Sequence, residues 1–189
     1  NGNGYSQEWV KEAKKRGLPN ITSTVEALGY MASPSAEKLF EKYKVLSKQE
    51  LHSRYEIYLE GYLKHANIEA LCAVYMVKRL FIPAVMKYTD QLAQTISTLK
   101  SIGSPVSVQK DVLSKVSTHL EGASDKLATL EGTIKKAQAL TESHVKAEAY
   151  RDKVLPAMNE LRTDIDALES FLPSESWPVP IYAEMLFNL

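Results

Sequence analysis

From Leu51 to Leu99, apolar side chains recur at steps of three and four residues, and no glycine–proline break interrupts them. Leu51, Tyr55, Tyr58, Tyr62, Ala66, Ala70, Val74, Val77, Phe81, Val85, Tyr88, Leu92, Ile96 and Leu99 carry the repeat, which is the spacing of one face of an α-helix. About fifty residues of helix span roughly 75–80 Å. A compact chain of this length is only about 40 Å across. Such a helix has to protrude, bend, or make its domain elongated. Pro83 is the natural bend, because it cannot donate to Arg79 and its ring crowds that carbonyl.

Local signals frame this helix. Ser47-Lys48-Gln49-Glu50 is a capping box at its start, and Gly103-Ser104-Pro105 closes it. Pro105 opens a second helix with the seam Leu113, Val116, Leu120, Ala123, Leu127, Leu130, Ile134 and Ala137, a coiled-coil pattern. A third seam runs Ala147, Arg151, Val154, Met158, Leu161, Ile165, Leu168 and Leu172. The phase between these two seams breaks near Leu140. A turn is expected there, with Thr141 or Ser143 as the next N-cap; a continuous helix with a stammer is the alternative. Pro156 would strain the third helix near Asp152.

Upstream, Ser6 and Gly17 bracket a short helix over about 7–16. Thr24 to Leu28 fits one or two turns, and Ser33-Pro34 opens a helix to about residue 44. At the other end, three prolines between 173 and 180 predict an extended tail. Its large apolar residues are costly to leave in water, so it should be pinned to a surface.

The expected fold is all-α: an elongated antiparallel bundle of three long helices, with short N-terminal helices and an extended C-terminal tail. The divisions are 1–46 (linker and short helices), 47–172 (bundle) and 173–189 (tail). Connections this short favour antiparallel neighbours.

Composition narrows the function. Lys plus Arg total 23 and so do Asp plus Glu, so no basic surplus points to nucleic acid or an anionic membrane. No apolar stretch has membrane-spanning length. The single cysteine, Cys72, fits a reducing cytoplasm and reads as a buried structural thiol. The chain opens Asn1-Gly2-Asn3-Gly4 without methionine and reads as a segment of a larger protein.

No residue stands out as catalytic, cofactor-binding or metal-ligating. His52/Glu56, His65/Glu69 and His144/Glu148 are i, i+4 pairs that could each offer two metal ligands. Catalytic zinc takes three protein ligands, and no third donor is placed by the pattern. Asp164, Asp166 and Glu169 read as a solvated outer face of the third helix. No phosphate loop or nucleophile elbow occurs. Tyr55, Tyr58 and Tyr62, at i, i+3 and i+7, suit either a core or an apolar, half-wet interface. Together with Trp177, Tyr182 and Phe187 in the tail, they are the interface candidates.

The segments NGNGYSQEW (1–9), RGLPNITSTVEAL (16–28), FEKYKVLSKQELHSRYEIYLEGYLKHANIEA (40–70), YRDKVLPAMNELR (150–162) and WPVPIYAEMLFNL (177–189) resemble the C-terminal region of type III glutamine synthetases, the large bacterial form. The stretch 100–147 adds little to the resemblance. It implies a parent enzyme that joins ammonia to glutamate at the expense of ATP, with Mg or Mn, in a ring-based homo-oligomer. The catalytic motifs of that family lie upstream, so none carries over to these residues. The resemblance implies that the start of the chain leaves the catalytic domain, and that the helices serve contact within or between subunits. Two rivals stay open: a residue or lid lent to a neighbour's active site, with Arg54, Arg151 and Arg162 as candidates, or a free-standing coiled-coil adaptor.

Overall fold

A computed structural model describes residues 3–187, with the side chains of Tyr182 and Ala183 left out. All regular structure among the described residues is helical. The chain divides into two compact units, Asn1–Leu63 and Lys64–Leu189.

The first unit contains α1 (Gln7–Lys15), α2 (Thr24–Met31), α3 (Pro34–Lys42) and the start of α4 (Lys48–Met76). Three serines cap the short helices. The hydroxyls of Ser6, Ser23 and Ser33 accept from the backbone N–H of Trp9, Glu26 and Ala36, each satisfying a first-turn donor that has no partner within the helix. The capping box forms as expected: Glu50 N–H donates to Ser47 Oγ at 3.3 Å, and Ser47 N–H donates to Glu50 Oε2 at 2.8 Å. These backbone and side-chain bonds from Ser47 hold the Glu50 carboxyl below its usual range.

Helix α3 stops at Lys42, two residues earlier than expected. Lys44 takes a left-handed φ of 55°, and Val45 N–H reaches back to the Phe40 carbonyl. The same closure follows α1, where Gly17 supplies the positive φ without steric cost. Glu37 on α3 then receives both Lys48 and His52 from the start of α4. His52 therefore pairs across elements and not with Glu56.

In the second unit, α4 passes into a π-turn, π1 (Val77–Phe81), and continues as α5 (Ile82–Ser101). After the Gly103 turn come α6 (Ser107–Gln138), α7 (Ser143–Ala149), a second π-turn, π2 (Tyr150–Val154), and α8 (Leu155–Phe171). The helical run from Lys48 to Ser101 bears out the long periodic pattern. Each π-turn ends with an i→i−5 bond, from Ile82 to Val77 and from Leu155 to Tyr150. Each is followed by proline one residue later, Pro83 and Pro156. The wider turn gives the proline ring room where an α-turn would drive it into the i−4 carbonyl. It also absorbs one extra residue, so the buried steps Val77–Phe81–Val85 keep facing inward.

The Leu140 region is a turn, but Glu142 is the N-cap in place of Thr141 or Ser143. Its carboxylate accepts from Val145 and His144 N–H, which holds its pKa below the usual value. The two carboxylate oxygens serve the two first-turn donors separately.

The core of this unit is built from three seams. Ala66, Ala70, Val77, Phe81 and Val85 form the first, Val116, Ala123, Leu127, Leu130 and Ile134 of α6 the second, and Tyr150, Val154, Leu161, Ile165 and Leu168 the third. Polar pins fix the register. Asn67 Oδ1 accepts from Gln138 Nε2 and from Tyr150 Oη, while Lys78 Nζ lies 2.9 Å from Glu131. Residue numbers thus fall along α6 as they rise along the first long helix. Burial raises the Tyr150 pKa, opposed by hydrogen bonding from Gln138.

The tail is not extended throughout. A 3₁₀ turn (Ser174–Ser176) precedes Trp177, and α9 (Tyr182–Leu186) forms once the prolines end.

Candidate functional site

Three features of the second unit bear on function. The first is a buried carboxylate. Asp164 lies inside the seam between α6 and α8, only 9% exposed, and not on the outer face expected of it. His119 Nδ1 is 2.9 Å from its Oδ1, and Lys126 Nζ is 2.8 Å from its Oδ2. Gly122, one turn from each, leaves the space: a β-carbon there would stand 2.7 Å from Oδ2. Burial pushes the Asp164 pKa up, but bonds from His119 and Lys126 outweigh it and hold the carboxyl below its usual range. Glu169 and Asp166 remain at the surface side of α8, and Asp166 pairs with Arg162.

The second feature is an apolar cleft of about 420 Å³ between the first long helix and α8, closed on one side by the tail. Trp177, 6% exposed, stacks on Phe81 with ring centroids 4.8 Å apart and planes 10° from parallel. This contact sets Trp177 of the tail against the first long helix within the same unit. Met76, Met158 and Met185 share the lining, with Glu169 and the Arg162–Asp166 pair at the edge.

The third feature is an uncovered apolar stripe. Ile68, Leu71 and Tyr75, spaced by three and four, stay exposed on α4 in the second unit. Cys72 shares this outward side and is exposed, not buried. The inward seam of Ala70 and Val77 leaves position 72 facing out.

Of the tyrosine stripe in the first unit, Tyr58 is exposed at 51% while Tyr55 and Tyr62 are half-buried. Leu59 takes the buried position beside Tyr58. Among the tail candidates, Phe187 is exposed, Trp177 is buried, and the Tyr182 side chain lies outside the described residues. Arg151 pairs with Asp152, and this bond holds the Asp152 carboxyl below its ordinary value. Among the described residues, no group of three or more His, Cys, Asp or Glu is placed to hold a metal ion. No helix there is long and apolar enough to cross a membrane. Sequence reasoning missed Asn67, Gly122 and the His119–Asp164–Lys126 cluster. The available signal was polar residues directly beside seam positions: Asn67 next to Ala66, Lys126 next to Leu127 and Asp164 next to Ile165.

Residues 1–100 match the family described as glutamine synthetase C-terminal domain. This chain belongs to that family. The match covers more than half of the 189 residues and ends at the close of α5, while similarity to curated relatives continues beyond it. The matches to those relatives extend over the whole chain. A glutamine synthetase of Butyrivibrio fibrisolvens is 36% identical over 191 residues, covering 100% of this chain and 27% of that protein. A type-3 glutamine synthetase of Dictyostelium discoideum is 37% identical, covering 99% of this chain and 26% of its own length. A glutamine synthetase of Bacteroides fragilis is 28% identical with the same coverage. The chain thus spans about a quarter of the length of these curated relatives, in their C-terminal portion. The resemblance to type III enzymes seen in the sequence is borne out.

Proposed function

We propose that this chain is the non-catalytic helical C-terminal domain of an ATP-dependent glutamate–ammonia ligase, and that its work is contact. The partner is the catalytic domain of the same polypeptide or of a neighbouring subunit in a cytoplasmic homo-oligomer. ATP and Mg or Mn are then the business of the upstream part. The observation carrying this reading is the exposed stripe Ile68, Leu71 and Tyr75 on a helix whose opposite side is already packed. A patch of that kind, rich in aliphatic and aromatic side chains, fits a protein interface. Exposed Ile57 and Tyr58 offer a second patch in the first unit. The descending register between the long helices supports an antiparallel three-helix bundle as the scaffold.

The test is made on the full-length enzyme. Leu71→Glu with Tyr75→Glu introduces two charges at the stripe without touching the core. Sizing by light scattering should show a smaller assembly or a lost interdomain protection of α4 in hydrogen exchange. Wild-type size, activity and exchange in that variant, together with wild-type size and activity after deletion of residues 50–189, would sink the proposal.

A further inference from the structure

The cleft beside Trp177 has the attributes of a ligand site. Its 420 Å³ falls in the range of small-molecule pockets, roughly 300–1,000 Å³. The walls are apolar, and three of the lining side chains are methionines, Met76, Met158 and Met185. Thioethers are polarizable and unbranched, so they adapt to a flat ring and make favourable sulfur–aromatic contacts. Trp177 adds an aromatic wall fixed by its stack on Phe81.

Among the described residues, charge at the edge is one-sided. Arg162 and Asp166 form an i, i+4 pair at 3.0 Å and offset each other. Glu169, half-buried one turn further along α8, pairs with no cation among the described residues. A carboxylate at the mouth of an apolar slot favours a ligand with an apolar body and a positive end.

We propose that this cleft binds a small aromatic amine, its ring among the methionines and Trp177 and its ammonium group at Glu169. The site is independent of the contact role argued above and stands or falls separately from it.

The 189-residue chain carries two tryptophans, so Trp9→Phe makes Trp177 the sole emitter. Titration of that protein with phenethylamine should shift Trp177 emission saturably. The isosteric neutral ligand 2-phenylethanol should bind about threefold more weakly, the scale of a partly exposed charge contact. Glu169→Gln should erase that preference while leaving 2-phenylethanol binding unchanged. Ala73→Leu, which places a larger side chain in the cleft wall, should abolish both shifts with the far-UV circular dichroism intact. If Ala73→Leu fails to fold, the comparison of wild type with Glu169→Gln decides alone. Absence of a saturable shift, equal affinity for the two ligands, or a preference that survives Glu169→Gln overturns the proposal.

Discussion

Gly122→Ala sets two opposed effects against each other at the Asp164 clamp. Inside a helix, alanine is favoured over glycine by about 1 kcal/mol, and Gly122 lies well within α6. The added methyl group, however, would stand 2.7 Å from Asp164 Oδ2 and 3.1 Å from its Cγ. A carboxylate at the end of a free side chain would swing away at little cost. This one is held on both sides, by His119 at 2.9 Å and Lys126 at 2.8 Å. Making room breaks at least one charge-assisted bond, worth about 1.5–3 kcal/mol. The side chains of His119 and Lys126 are 35% and 34% exposed, which places the loss near the lower end, about 2 kcal/mol. The net expectation is destabilisation by about 1 kcal/mol. In an Asp164→Ala background the obstruction is gone, so the same substitution should stabilise by about 1 kcal/mol. The sign reversal corresponds to a coupling of about 2 kcal/mol. Urea denaturation in a Trp9→Phe background, followed by Trp177 emission, reports on the second unit, with free energies compared at constant m. Stabilisation by Gly122→Ala in both backgrounds would refute the claim that the carboxylate is pinned.

The same clamp predicts a pH dependence. Because the folded-state pKa of Asp164 is lowered from 3.8, its stabilisation is present above the unfolded value and is lost as pH falls through the folded one. The stability gap between wild type and Asp164→Ala should close as the pH drops below about 4, measured by denaturation at each pH. Lys44→Gly should stabilise the first unit by about 0.5–1 kcal/mol, since a left-handed φ strains a residue bearing a β-carbon; a thermal scan showing no gain would count against the strain. Cys72 should react with Ellman's reagent in the native chain at one thiol per chain, without denaturant, because it is exposed. Phe81→Ala should cost about 3–5 kcal/mol and release the tail, seen as a red shift of Trp177 emission.

The existence and type of the helices were legible in the residues alone. Ser6, Ser33 and the Ser47–Glu50 box announced three starts, and Gly17 and Gly103 two ends, because caps and closures depend on atoms within a few residues of one another. The seam of α6 was readable from Val116 to Ala137 for the same reason: helical period is a local property. The family could be named from the ordered segments at both ends of the chain.

What only the tertiary structure decided involves groups distant in sequence. Asp164 looked like one of three surface carboxylates, and it is buried because His119 and Lys126, some 40 residues earlier, meet it over the gap left by Gly122. Asn67 became a junction only when Gln138 and Tyr150 were brought to it. The docking of Trp177 on Phe81 likewise required the tail to return across the first long helix. Periodicity tells which side of a helix turns inward; which partner waits there is settled by packing, where charge and volume must match across elements that the chain does not join directly.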